Sequence, residues 1–376
     1  MLLSNAYRPD PRVRREARTL VQAGHTVDLY CWDRLGELPE HETLEGIHIH
    51  RYQAVRSSYG AGWRQLTRLP RFWRWAQAQI TRQQPEIVHC HDLDTLYAGV
   101  ALKRSIHCKL IFDAHEHYPA LMTLYLPAAL ARLLVYWEQA LLKHADHIIS
   151  ASSVLADEYR RKTSVPVTVI PNVPSLSDFS AISEHTIRET RAQLGLDAEL
   201  GVFYIGGFTN NRILLPLIDA LDGLDGWQLH LWGDGHQRAA VEQSISGLDN
   251  AHYHGWAEAA SLPVLFSAAD VIYYCLRSDY PGAQYNAPNT LAYAMASSRP
   301  LIANRVGDLG RIVAESECGI LLHEVSPVTI RQALQDLSDP LTRQRLGANG
   351  RQAAESRHNW ERLTRTLLDL YAGLER

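Results

Sequence analysis

Short runs of β-branched and aromatic residues alternate with amphipathic stretches along the whole chain. In the first half the runs at 26–32, 47–52, 87–91, 109–113, 147–151 and 167–170 predict strands. Between them, apolar positions at helical spacing predict helices over 11–23, 70–84, 95–105 and 132–144. Strands separated by helices imply parallel sheets built from right-handed βαβ units. A polar stretch at 174–199 suits a linker followed by a short helix. The rhythm then restarts, with strand runs at 201–205, 228–232, 251–253, 271–275, 300–304 and 319–322. The chain therefore reads as α/β, with two doubly wound, Rossmann-like domains, 1–180 and 181–359, facing an interdomain cleft. A C-terminal helix over about 360–376 is expected to pack back onto the first domain. In such folds ligands bind at the carboxyl ends of the strands, where the loops converge.

Composition agrees with this layout and narrows the function. The 376 residues are 46% hydrophobic and 21% charged, ordinary for a globular protein and long enough for two cores. The net charge of −4 hides an asymmetry: residues 1–180 carry 21 Lys+Arg against 18 Asp+Glu, and residues 181–376 carry 16 against 23. Neither half has the strongly basic balance of a dedicated nucleic-acid binder, so no nucleic acid is expected as partner. Five scattered cysteines without a Cys-x-x-Cys pair read as reduced, mostly buried thiols. No apolar core of signal-peptide length precedes the first charges. The stretch 120–137 contains Pro127 and Arg132 and reads as a partly buried helix rather than a membrane span. The chain is expected in the cytoplasm, at the inner face of the cell membrane.

Common nucleotide-binding signatures are missing. Gly233-Asp234-Gly235 follows a strand but lacks the third glycine of a dinucleotide fingerprint, and a turn leaving the strand explains it as well. The sequence contains no P-loop and no Gly-x-Ser-x-Gly elbow.

Two doubly wound domains of similar size without those motifs suggest the GT-B architecture, and ordered strings sharpen the likeness. DPRVRREARTLVQAGHTVDLY, IVHCHDLDTL, LIFDAHEHYP, ADHIISASSVLADEY and VTVIPNVP occupy the first half; YIGGF, LWGDG, FSAADVIYY and APNTLAYAMASSRPLIA occupy the second. Their succession resembles the family 4 (group 1) glycosyltransferases over nearly the whole chain. The resemblance implies a donor nucleotide sugar, UDP- or GDP-linked, held mainly by the second domain, a saccharide acceptor on the first, and no resident cofactor or metal.

A departing diphosphate calls for preorganised positive potential, and a helix N-terminus supplies amides and a dipole. Pro288, Asn289, Thr290 and Leu291 open a predicted helix suited to this role, with Asn286 just ahead; an ordinary capped helix is the plain alternative. The family places Arg and Lys five residues apart after the first strand of the second domain. Here Gly207, next to Gly206, stands at the Arg position and Arg212 at the Lys position, a replacement able to grip phosphate bidentately. The family's Glu-x7-Glu pair is replaced by Tyr285 and Tyr293, which supply no carboxylate at neutral pH. Nucleoside grip then falls to tyrosine hydroxyls, neighbouring amides or Asp279.

In the first domain His115 falls where the family has a histidine facing the donor sugar. Asp92 and Asp94 end the preceding strand, placed either to orient an acceptor hydroxyl or to cap the next helix. His89 and His91 share one strand face and are expected to line the cleft rather than bind metal. Between Arg51 and Pro85 lie seven arginines and no acid. Arg64, Arg68, Arg71 and Arg74 beside Trp73 and Trp75 suit an anionic membrane or a lipid-linked acceptor if the aromatics are exposed. A core-facing helix with a solvated arginine face fits the same residues. The expected function is retaining sugar transfer in polysaccharide or glycoconjugate synthesis. The lost glutamates leave open a non-catalytic binding subunit and a GT-B nucleotide-sugar epimerase.

Overall fold

In the computed structural model, residues 1–8, 10–57, 67–124, 126–286 and 289–375 are described. The chain divides into two units: Met1–Pro171 with Leu363–Arg376, and Asn172–Arg362. Residues 172–180, expected in the first domain, fall in the second unit.

Unit 1 holds an eight-stranded sheet of β1 (Leu2–Leu3), β2 (Val27–Trp32), β3 (His41–Leu44), β4 (Ile47–Tyr52), β5 (Ile87–His91), β6 (Lys109–Ala114), β7 (His147–Ser150) and β8 (Val167–Val169). The order is β3-β4-β2-β1-β5-β6-β7-β8, parallel except where β3 meets β4. β1 and β3 escape sequence reading for physical reasons. β1 is two residues long, and β3 (HETL) is an edge strand, three of whose four residues are exposed, so it carries no apolar alternation. The central strands are mostly buried, with polar residues such as His89, His91 and Asp113 set among the apolar ones. From β1 the chain lays β2 and β4 to one side and β5 onward to the other, so the topology reverses between β1 and β5.

Helix α1 (Pro11–Gln22) is set by Asp10, whose carboxylate accepts from the Val13 amide, with Pro11 in the first turn. Its buried face is mixed: Val13, Ala17 and Leu20 share it with Arg12 and Glu16. Helix α2 (Leu69–Gln83) buries Leu69, Phe72, Ala76 and Ile80 and exposes Arg71 and Arg74. Its two described tryptophans are not exposed aromatics. Trp73 donates to the Asp94 carbonyl (2.6 Å) and packs on Tyr97 and Trp137, while Trp75 packs on Tyr30, Tyr52 and Phe72. The tryptophans are used to seat α2 on its own unit, which favours the core-facing helix of the two sequence readings. Arg68 is half-buried at the N-cap of α2, and Arg64 lies outside the described residues. Helix α3 (Leu93–Ile106) follows β5, and α4 (Ala128–Leu142) exposes Leu130, Leu133 and Tyr136. Among the described residues no helix is long and apolar enough to cross a membrane.

Unit 2 is a fully parallel six-stranded sheet of β9 (Leu200–Ile205), β10 (Trp227–Trp232), β11 (Ala251–Tyr253), β12 (Val271–Tyr274), β13 (Leu301–Asn304) and β14 (Gly319–Leu322), in the order β11-β10-β9-β12-β13-β14. Here the topology reverses between β9 and β12. The stretch read as a linker belongs to this unit. It folds into helices Ser177–Ser180 and Glu184–Gln193, and Arg191 fastens it by donating to the Ala268 carbonyl (2.7 Å) and pairing with Asp270 (2.8 Å). Phe179 and Leu196 join the core of the unit beside it. The sheet is covered by α5 (Asn289–Ala296) among others, and α6 (Trp360–Leu374) runs into the C-terminal stretch counted with unit 1. All five cysteines are buried and unpaired.

Candidate active site

Each sheet reverses its topology at one point, and open α/β sheets bind ligands beyond the carboxyl ends of the strands there. The sequence-derived candidates fall at both of these points.

In unit 2, Arg212 lies across the β9–β12 reversal. It forms a backbone bridge with Leu276, while the neighbouring Ile213 amide donates to Cys275 O (3.2 Å) and the Arg277 amide to Asn211 O (2.9 Å). Gln237 Nε2 donates to the Arg212 carbonyl (3.0 Å), so the backbone is tied from both sides. This position precedes the next helix, Leu215–Leu221, rather than lying in its first turn. The guanidinium sits over the ring of buried Tyr274, 4.7 Å from its centroid, an arrangement that favours a cation. The Tyr204 hydroxyl interacts with the guanidinium, but Nε and Nη1 are buried without a well-directed hydrogen bond among the described residues. Buried charged donors left unpaired cost roughly 1–3 kcal/mol or more, so they are strong binders of an incoming anion.

Gly206 and Gly207 follow directly on β9. The Gly206 amide donates to Trp232 O (3.0 Å), Tyr204 Oη donates to Gly207 O (2.7 Å) and the Phe208 amide donates to Asp234 O (2.8 Å). A Cβ at Gly233 would stand 2.0 Å from the Gly206 carbonyl oxygen, so Gly233 is required by close backbone approach. The Gly-x-Gly is thus a turn that presses one loop against another.

Asn289 opens α5, and Thr290 Oγ1 donates to Ile205 O (3.3 Å), fixing the first turn of α5 to the end of β9. Leu291 is buried in the core, so only its backbone could serve a ligand. Tyr285 and Asn286 are half-buried in and after a 3-10 turn at Ala283–Tyr285. Tyr293 is packed against Phe266 and Phe179. Asp279 pairs with Arg277 at the surface (2.7 Å). Pro288 lies outside the described residues.

In unit 1, Asp92 follows β5 at the β1–β5 reversal with φ 64° and ψ 162°, a conformation costing a non-glycine residue about 1–3 kcal/mol. The surrounding bonds hold it there: its amide donates to Asp113 O (2.8 Å), and its Oδ1 accepts the His115 amide (3.1 Å). It occupies the N-cap position of α3 without a side-chain capping bond, so the carboxylate serves His115 instead. Asp94 is buried in the first turn of α3, where burial pushes its carboxyl up to about 6. His115 places Nε2 3.2 Å from Asp113 Oδ2 and Nδ1 3.5 Å from Asp92 Oδ2.

Behind His115 lies a buried polar cluster that the sequence reading did not single out. Arg12 grips Asp113 bidentately (Nη2–Oδ1 2.6 Å, Nε–Oδ2 3.0 Å), donates to Ile170 O (2.6 Å) and lies 3.2 Å from Glu16 Oε1. His89 and His91 stack in this cluster, His89 sharing a hydrogen bond with Tyr371 Oη (2.8 Å). Both rings are essentially inaccessible to solvent, which corrects their expected place as cleft lining. Glu16, His89, His91 and Asp113 bring donor atoms within 4.8 Å of one another, and Arg12 stands among them as the balancing cation. Burial pushes Glu16 up to about 8, with Asp113 adding and Arg12 opposing. Burial would also raise Asp113, but Arg12 and His115 hold it well below the usual carboxylate range. The available signal was Arg12 and Glu16 one turn apart on the apolar face of an amphipathic helix.

Known proteins provide the remaining comparison. Residues 12–176 match the sequence profile of Glycosyltransferase Family 4, and residues 199–339 match that of Glycosyl transferases group 1. An uncharacterised glycosyltransferase of Methanocaldococcus jannaschii is 22% identical over 94% of this chain and 91% of its own length. Among solved structures, sucrose-phosphate synthase from Thermosynechococcus elongatus superimposes with a TM-score of 0.82 at 24% identity, covering 99% of this chain and 98% of that one. Anabaena HepE in complex with UDP-glucose gives 0.76 at 15% identity, over 99% and 98% of the two chains. With one profile over most of each unit, in the family's order, the chain belongs to the family 4, group 1 glycosyltransferases and has their GT-B fold.

Proposed function

We propose that the protein moves a hexose-type sugar from a UDP- or GDP-linked donor to a lipid-linked saccharide acceptor, with retention of anomeric configuration, in polysaccharide or glycoconjugate synthesis. Unit 2 takes the donor. The observation that carries this reading is Arg212, backed by Tyr274 and presenting two unpartnered N–H groups at the β9–β12 reversal. A diphosphate satisfies both donors at once. The first-turn amides of α5 at Asn289, Thr290 and Leu291 add partial positive charge. Tyr285 and Asn286 supply the nucleoside contacts that carboxylates provide elsewhere in the family, while Tyr293 supports the fold. The Anabaena protein HepE is solved with UDP-glucose and with UDP and glucose, which supports a uridine nucleotide as donor. His115 serves the transferred sugar and Asp92 the acceptor side. No resident cofactor is needed, and the protein works at the cytoplasmic face of the membrane through Arg68, Arg71 and Arg74.

The test is a panel of UDP- and GDP-sugars, with and without lipid-linked saccharide extract. Nucleotide release that depends on acceptor supports the transferase. Isomerised donor without acceptor replaces this reading with an epimerase, and donor binding without turnover replaces it with a binding subunit.

A further inference from the structure

The His115 ring meets a carboxylate at each nitrogen, Asp113 at Nε2 and Asp92 at Nδ1. An ionised carboxylate only accepts hydrogen bonds, so both contacts favour an N–H on the nitrogen they face. His91 Nδ1 faces both His115 Nε2 and Asp113 Oδ2 (3.2 Å each), and the carboxylate is the stronger acceptor for the single proton of that neutral ring. Asp113 cannot turn away. It is fully buried, and its two oxygens already face Arg12 Nε and Nη2, His91 Nδ1 and His115 Nε2, about as many donors as one carboxylate accepts. Asp92 is tied by the His115 amide, while its 3.5 Å approach to Nδ1 is loose enough for a ligand oxygen to replace.

The charges around the ring agree. From β5 and α3 come His91, Asp92 and Asp94; from β6 comes Asp113, and Glu116 directly follows His115; from α1 come Arg12 and Glu16. Burial holds His91 well below its usual range and keeps Glu16 protonated at neutral pH. Arg12 therefore balances one of the two principal carboxylates, Asp92 and Asp113, and His115 is left to balance the other. Burial alone would lower the imidazole, but Asp92 and Asp113 outweigh it and raise it to about 10.

We propose that Asp113, braced by Arg12, is a positioning residue that locks His115 as a doubly protonated imidazolium, so that His115 serves sugar transfer as a fixed hydrogen-bond donor and positive charge, never as a base. The ligand group it takes is an oxygen acceptor, a sugar hydroxyl or a phosphate oxygen, which displaces Asp92 from Nδ1. The catalytic part rests on the proposed function; the charge state of the ring does not.

The test is side-chain 15N NMR of the full chain, with the His115 signals assigned by their loss in His115→Gln. Expected is a ring that keeps both N–H protons beyond pH 8. In Asp113→Asn its midpoint falls by about one to three units, the usual effect of removing one close opposite charge. Asp92→Asn, at the more exposed end, gives a smaller fall and serves if Asp113→Asn does not fold. In the pH profile, Asp113→Asn gains an alkaline loss of kcat at the midpoint seen by NMR, with donor KM changing less. A wild-type ring titrating near the ordinary ~6.5, or a midpoint unmoved in the variants that fold, overturns the lock. A shifted midpoint with an unchanged pH profile of kcat overturns the catalytic role alone. Wild type inactive on every donor overturns the proposed function while the NMR result still decides the lock.

Discussion

The two units hold their buried polar groups in opposite ways. Unit 1 buries Arg12, Glu16, Asp113 and two histidines against one another, so that its main cation and anion cancel within the fold. Unit 2 buries its polar groups singly, as with His230, Asn304 and Asp308, and leaves two buried N–H groups of Arg212 unanswered among the described residues. A compensated network fixes geometry and resists rearrangement; an uncompensated cation is held ready for a ligand. The same sheet architecture thus provides a preset electrostatic frame in one unit and an anion receptor in the other.

Substitutions that treat the two arginines alike should therefore give unlike results. Arg12→Met strands Asp113 in the interior without its main partner and should lower stability by about 3–5 kcal/mol, read by urea unfolding. A loss under about 0.5 kcal/mol would show that the cluster is not a compensated network. Arg212→Ala removes unpaired buried donors together with their contact on Tyr274, two effects of opposite sign, so the unfolding midpoint should barely move. Nucleoside diphosphate affinity should instead fall roughly 10- to 100-fold by calorimetry, the worth of about 1.5–3 kcal/mol for hydrogen bonds to a charged group. Undiminished affinity would remove the diphosphate from Arg212.

Glu16 sharpens the comparison through pH. Its folded value of about 8 lies above the ordinary 4.5, so between these values the folded state holds a proton that the unfolded chain has released. Its contribution to stability is therefore complete below pH ~4.5 and is lost as pH rises through about 8. Glu16→Gln should abolish that part of the decline, measured as a smaller drop in Tm between pH 5 and 8 than in wild type. An identical drop would mean that Glu16 is ionised in the fold. The smallest effect belongs to the surface of α2. Arg71→Ser with Arg74→Ser should leave stability within about 0.5 kcal/mol but reduce flotation with phosphatidylglycerol vesicles. Equal flotation would take these arginines out of any membrane face.

Much of the fold was readable because its signals are local. The strand at 47–52 and the helix beginning at Pro11 announce themselves by apolar spacing, turn residues and caps. Arg212 was readable as a candidate because its distance from β9 resembles the family's spacing. Its tie to Leu276 and its seat on Tyr274 were not, since Tyr274 lies sixty-two positions away and reads only as part of a strand. For Trp73 and Trp75 the sequence left an exposed face and a core-facing helix open, and the structure decides for the second, with Trp73 finding a carbonyl on α3. The segment at 174–199 reads as a linker followed by a short helix; the helix is there at Glu184–Gln193, and Phe179, Leu196 and Arg191 tie the whole segment into unit 2.

By itself the sequence determined the alternation of strands and helices, the division into two sheets and the family likeness, because periodicity and order survive in one dimension. It also placed His115, Asp92 and Arg212 after strands, where such sheets bind ligands. Only the tertiary structure decided what those residues face. Charge state and affinity depend on groups within a few ångströms, and parallel β pairing brings β5 beside β6, and β9 beside β12, from distant parts of the chain. Asp113 acquires Arg12 from a helix 101 positions earlier, and Arg212 acquires no counter-ion at all among the described residues. Proximity in space, which no spacing in sequence encodes, separates the fixed charge from the one left open.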